Sequence, residues 1–174
     1  MKKGIALFLI VCVLLSGCSP LVKESPQSKI FAVESYHLQI TADGSFSEKT
    51  GGSFDLQITN NKSYISIMAF QYIDLPQDST PLDVYDAQNN DLFSKREKVT
   101  VVEKSKTQTI TQGTATYGVY SAEKDGTKNY YATYLMDFPE KETFAWVLIS
   151  ATPSYYTNNT EYLHNIVCSL APTV

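Results

Sequence analysis

The stretch "YGVYSAEKDGTKNYYATYLMDFPEKETFAWVLISA" (residues 117–151) decides the fold class. Asp125-Gly126 at its centre is a strong short-range hairpin signal, because a two-residue loop of that composition tolerates the left-handed backbone that the turn needs. With those two residues as the loop, Tyr120 faces Tyr131 and Tyr117 faces Tyr134 across two antiparallel strands. Tyr117, Val119, Ala132, Tyr134 and Met136 then share one face, and Thr116, Gly118, Tyr120, Tyr131 and Thr133 the other. "PEKE" turns the chain into "TFAWVLISA", where Phe144, Trp146 and Leu148 alternate with Ala145, Val147 and Ile149. Both faces are apolar, which marks a central strand covered on both sides.

Upstream, "YHLQITA" and "GSFDLQIT" alternate as strands do. "KSYISIMAF" sets Tyr64, Ser66, Met68 and Phe70 against Ile65, Ile67 and Ala69, with "NNK" at 60–62 as the preceding turn. The period then changes to that of a helix over "STPLDVYDAQNNDLFSKREK". Ser79 or Thr80 stands as N-cap, Pro81 at the first helical position and Asp83 in the first turn. Cations gather at its far end, where the macrodipole favours them. "VTVVEK" and "TQTITQGTATYGVYSAEK" return to strand composition. After Pro153 a final helix is expected from about residue 157 to 169, capped by Asn158, Asn159 or Thr160. Two helical segments thus bracket a largely antiparallel sheet, an α+β layered sandwich.

The N-terminus carries an address. Met1-Lys2-Lys3 precedes an unbroken apolar run from Ile5 to Leu15, too short for a spanning helix, which needs about 20 apolar residues. The run ends in Leu15-Ser16-Gly17-Cys18, which resembles the lipobox of bacterial lipoproteins. The resemblance implies cleavage before Cys18 and acylation of its thiol with palmitate-type chains. Each buried CH₂ then contributes about 0.8 kcal/mol to membrane binding. Residues 1–17 are read as signal peptide, 18–35 as lipidated N-terminus and flexible tether, and 36–174 as one domain. Cys12 leaves with the signal, so Cys168 is the one ordinary thiol of the mature chain and no intramolecular disulfide forms.

Composition narrows the function. The 174 residues are 43% hydrophobic and 12% aromatic, enough for a full core in one domain. Formal net charge is −4, and becomes −6 when Lys2 and Lys3 leave. So acidic a chain lacks the basic footprint that phosphate backbones require, which argues against nucleic acid as a partner. No GxSxG, HExxH, CxxC, P-loop or GxGxxG occurs in the mature sequence, and no cofactor or metal is expected. Asp74, Asp78, Asp83, Asp86 and Asp91 lack the alternate-residue ligands and turn glycine of a calcium loop. His37 reads as a surface side chain. Cys168 reads as packing, although His164 lies four residues earlier on the same helical face and so leaves a nucleophile-and-base pair open. Tyr120, Tyr131, Tyr155 and Tyr156 are the candidate exposed aromatic surface for a protein, peptide or glycan.

The order of these elements resembles the PsbP-like domains, which share the Mog/PsbP α/β/α sandwich. The resemblance spans residues 36–170 and rests most on "TQGTATY", which enters the meander, and on the "IVCSL" ending of the last helix. Both are packing signatures rather than catalytic motifs. At "TADGSFSEKTGG" the chain departs from the family, whose members carry a Pro- and Trp-bearing turn there. The resemblance implies a non-catalytic binding or assembly domain, since relatives support photosystem II or bind the small GTPase Ran. The expectation is therefore a membrane-anchored extracytoplasmic lipoprotein of the bacterial envelope, acting as a binding or accessory domain toward an envelope protein or membrane complex. The alternative is a cell-envelope hydrolase using carboxylates or Cys168.

Overall fold

The computed structural model describes residues 27–173. Cys18, the expected signal segment and the first half of the expected tether, residues 18–26, lie outside the described residues. In chain order the strands are β1 (Ser28–Val33), β2 (Leu38–Asp43), β3 (Ser47–Glu48), β4 (Leu56–Thr59) and β5 (Ser63–Gln71). Helix α1 (Pro81–Ser94) follows, then β6 (Glu97–Ile110), β7 (Gly113–Lys124), β8 (Thr127–Phe138) and β9 (Thr143–Ala151). Helices α2 (Pro153–Asn158) and α3 (Thr160–Cys168) and the short β10 (Ala171–Pro172) complete the chain.

Seven strands form one antiparallel sheet in the order β3-β4-β5-β9-β8-β7-β6. The Asp125-Gly126 loop joins β7 to β8 with both residues at positive φ (52° and 74°), and the register pairs Tyr120 with Tyr131 and Tyr117 with Tyr134, as the sequence predicts. Strand β9 is fourth of seven, and every residue in it except Ser150 is buried. Its two apolar faces serve two separate cores. Ala145, Val147 and Ile149 join Ile65, Ile67, Val119 and Tyr134 in the larger one, beneath α2, α3 and β2. Phe144, Trp146 and Leu148 join Tyr85, Leu92 and Tyr131 in the smaller one, beneath α1.

Helix α1 starts as its sequence dictates. Thr80 accepts from the Asp83 amide while the Asp83 carboxylate accepts from the Thr80 amide, a reciprocal capping box with Pro81 at N1. Two buried polar contacts fix the helix on the sheet. Trp146 Nε1 donates to Asn89 Oδ1 at 3.0 Å, and the Tyr85 hydroxyl lies 3.0 Å from Thr133 Oγ1. At its far end Arg96 donates to the Leu92 carbonyl, satisfying one of the carbonyls that a helix terminus leaves free.

Three expectations are corrected. The chain enters the fold at Ser28 rather than Tyr36. Segment Ser28–Val33, assigned above to the tether, pairs antiparallel with β2 over six residues and buries Val33. Backbone pairing with β2 holds it, together with Val33 in the larger core and Phe31 packed against that core. Strand β2 in turn leaves the main sheet and forms a three-stranded sheet, β1-β2-β10, against the larger core. The terminal helix is two helices. Pro153 opens α2 at its first position, and Asn159 (φ −132°, ψ 21°) interrupts the helical backbone before α3.

The close approach at the β6–β7 hairpin explains the glycine in "TQGTATY": a Cβ on Gly113 would meet the Asp137 carbonyl oxygen at 2.0 Å. Asn89→Ala is expected to cost about 1–3 kcal/mol, because it leaves the Trp146 indole N–H buried and unpaired. Thermal unfolding followed by near-ultraviolet circular dichroism of the single tryptophan measures it.

Candidate functional site

The four tyrosines singled out in the sequence do not make one exposed surface. Tyr131 and Tyr156 are buried, at 3% and 5% exposure, so the expectation fails for both. Tyr131 lies under the C-terminal end of α1, with Phe93 edge-on at 6.2 Å and the Arg96 guanidinium 4.5 Å from its ring centre. Tyr120, half-buried, packs against the same Phe93 at 4.6 Å. Tyr156 sits edge-on to Tyr130 on the opposite sheet face. Tyr155, also half-buried there, accepts a hydrogen bond from Asn60 Nδ2 at 2.8 Å. Strand alternation assigns each ring to a face, but the placement of a helix over that face decides whether the ring is wet.

The structure brings His164 and Cys168 together with two residues that sequence spacing does not connect to them. Cys168 Sγ lies 3.4 Å from His164 Nε2. From β6, Gln108 Nε2 reaches both, at 3.0 Å from His164 Nε2 and 3.3 Å from Cys168 Sγ. The Tyr134 hydroxyl lies 3.2 Å from His164 Nδ1, and the Tyr117 ring packs on the imidazole. A nucleophilic pair would need a thiolate beside an imidazolium. Here burial pushes the Cys168 thiol up, against the Gln108 hydrogen bond. Burial, with Lys106 adding to it, pushes His164 down despite Glu103. Both shifts favour neutral thiol and neutral imidazole. Tyr134 is held protonated by its burial. The arrangement therefore serves as a polar pin between α3 and the sheet. His37 is exposed in left-handed conformation (φ 51°), makes no contact with this pin, and its carbonyl accepts from the Thr173 amide.

A different place has the shape of a binding site. Helix α1, 14 residues and about 21 Å long, covers only part of the small-core face. Past its C-terminus the sheet lies open as a cleft of about 450 Å³. Tyr64 and Ser150 form its floor, with Ser66 and Tyr131 almost wholly buried beneath, and Phe54, Lys49, Arg96 and Lys124 stand around it. Phe54 comes from the loop before β4 and stacks on Trp146 with ring centres 6.5 Å apart. Lys49 Nζ lies 5.0 Å from the Tyr64 ring centre. These residues come from six separate places in the chain, four strands and two loops, so no local motif announces them. Among the described residues, no group of three or more His, Cys, Asp or Glu is arranged to hold a metal ion, and no helix is long and apolar enough to cross a membrane.

No protein-family model and no curated protein sequence matches the chain. Solved structures do match it. The cyanobacterial PsbP (CyanoP) from Synechocystis superposes with a TM-score of 0.62 over 91% of this chain and 98% of its own, at 9% identity. This is the PsbP/Mog1 fold. The Ran-binding protein Mog1p of Saccharomyces cerevisiae gives a TM-score of 0.55 at 11% identity, covering 85% of this chain and 96% of its own. LpqN of Mycobacterium tuberculosis, described as involved in cell envelope biogenesis, gives 0.56 at 13% identity over 84% and 91%. At these identities the PsbP/Mog1 likeness concerns architecture alone: the sheet, its two covered faces and the long meander.

The His164 pin has a pH signature. Its folded-state affinity for a proton lies below the ordinary value of 6.5, so the unfolded chain binds the proton first. Stability from neutral His164 is fully present above the unfolded value and declines as pH falls through that window. The melting temperature of wild type should thus drop between pH 8 and pH 5 by more than that of His164→Gln, as read by parallel thermal melts.

Proposed function

We propose that the protein is an extracytoplasmic lipoprotein, fastened to a bacterial membrane through acylated Cys18, whose folded domain binds a ligand or envelope partner without covalent chemistry. The observation that carries the binding role is the open cleft beside α1, where aromatic and cationic side chains stand on a rigid sheet. Such mixed apolar and polar linings suit recognition. The anchoring role rests on the n-region, the apolar run and the Leu15–Cys18 tetrad. An envelope-linked protein among the structural neighbours is consistent with that location. Ten residues separate Cys18 from Ser28, so the domain stands within about 35 Å of the bilayer surface. That short reach suits an accessory subunit of a membrane complex as well as a binder of small ligands. A hydrolase built on Cys168 is disfavoured by the direction in which its environment moves both members of the pair.

Expression of wild type and Cys18→Ala in the source bacterium, followed by membrane fractionation and light crosslinking, tests the reading. Wild type should sediment with membranes, partition into detergent and carry a fatty acid label. Cys18→Ala should remain unprocessed and unlabelled. Identical maturation and labelling of the two proteins would defeat the lipid anchor. Retention of full function by Cys168→Ala is expected from the same cells.

A further inference from the structure

We infer that the cleft beyond the end of α1 is a binding site for a phosphate group. This deepens the binding role proposed above and rests on it. Three cations stand around the cleft: Lys49 before β4, Arg96 after α1 and Lys124 at the end of β7. One carboxylate, Asp125, accompanies them, so the local balance is two positive charges in a chain whose acidic residues outnumber its basic ones by four. That balance complements a phosphomonoester, which carries about −1.5 to −2 at neutral pH.

The cations are not held by the protein's own acids. Among the described residues the ion pairs are Lys95–Asp91, Lys98–Glu123 and Lys106–Glu103, and none of them includes Lys49, Arg96 or Lys124. Arg96 donates to the Leu92 carbonyl, yet its Nε is buried with no acceptor within hydrogen-bonding distance. A guanidinium with unspent donors, stacked on Tyr131, is fixed in direction by the ring. Lys49 is likewise placed over Tyr64. Between them stands the Ser150 hydroxyl, with Ser66 buried beneath and bonded to the Gln57 amide, and Asn129 adds an amide at the rim. Hydroxyl, amide and forked cation donors around one opening are what a phosphate's acceptor oxygens require.

Ser28, where the first strand begins, pairs with Asp43 at one end of β2. Asp43, Asn60 and Lys62 line one concavity, and the Asn60–Lys62 turn leads directly into Ser63 and Tyr64. The chain therefore enters the domain on the α2 and α3 side of the sheet, the face opposite the cleft. A phospholipid headgroup presents a phosphodiester with one negative charge and a soluble phosphomonoester a phosphate with nearly two; both offer phosphate oxygens to the cleft, and titration separates them.

Full-length protein in a neutral polyoxyethylene detergent is titrated by calorimetry with glycerol 3-phosphate, with phosphatidylglycerol in mixed micelles, with phosphatidylcholine and with a neutral disaccharide. Emission of the lone Trp146 is followed in parallel, since Phe54 connects it to the cleft. Saturable binding of glycerol 3-phosphate at about 1 mM or tighter is expected, weakened about tenfold in Lys49→Gln and in Arg96→Gln and reduced by salt. Lys49 and Lys124 are exposed, so Lys49→Gln and Lys124→Gln test the charge without touching the core. Binding of phosphatidylglycerol alone, with the same dependence on Lys49, also upholds the site and assigns it to a membrane lipid. Equal binding of phosphatidylcholine and phosphatidylglycerol, unaffected by these substitutions, would overturn it. The disaccharide binding where neither anion does would overturn the phosphate assignment and leave the binding role standing. Silence from every probe would remove the phosphate site, with partner capture by crosslinking then deciding the binding role separately.

Discussion

Strand β9 has to be dry on both faces, and the rest of the structure is arranged to meet that demand. A sheet strand with Phe144, Trp146 and Leu148 on one side and Ala145, Val147 and Ile149 on the other cannot lie at an edge or face water. One chain must therefore supply two lids. The first is α1, set between β5 and β6 in sequence and laid across β8 and β9. The second is composite, made from α2, α3 and the small sheet around β2. The two lids differ in completeness. The composite one shields an extended core in which Leu38, Ile40, Leu163 and Val167 are all nearly inaccessible. The single helix leaves the far end of its face bare, and the cleft is what remains.

Polar side chains hold each lid in register. Apolar packing alone would let a helix slide along a sheet at little cost, whereas a buried hydrogen bond specifies one position. Asn89 on Trp146 and Tyr85 on Thr133 do this for α1. His164, Gln108 and Tyr134 do it for α3. The Cys168 sulfur is drawn into the second set, and its surroundings resemble a catalytic dyad in distance while opposing one in electrostatics. Distance by itself would have suggested chemistry; the direction of both proton affinities argues for structure.

Much of this was legible in the sequence because the signals are local. The Asp125-Gly126 loop fixes the β7–β8 register, Thr80-Pro81-Asp83 fixes the start of α1, and unbroken alternation of apolar residues marks β9 as central. What escaped is non-local. Segment Ser28–Val33 carries a short apolar run from Ile30 to Val33, but it buries one residue alone, and only its pairing with β2 makes it part of the fold. Tyr131 and Tyr120 share a face by alternation, yet only the length and landing point of α1 say that Tyr131 is covered. The cleft draws on residues from Lys49 to Ser150, none adjacent in a recognisable spacing, and it exists because a helix stops short. Pro153 could have been read as the first residue of a helix as well as the end of a strand, since its missing N–H is harmless there.

The small sheet has a mechanical meaning. Both ends of the described chain are stitched to the same strand: β1 lies along one edge of β2, and Ala171–Pro172 pairs with Gln39 and Leu38 on the other. A pull on Ser28 directed along the β1 axis meets six cross-strand pairs loaded together in shear, rather than opened one after another as in a zipper. Force entering there passes through β2 into the core that holds α3, since Ser169 is bonded to both backbone groups of Thr41. The domain is thus built to bear tension at Ser28 without surrendering the sheet on which its cleft is laid.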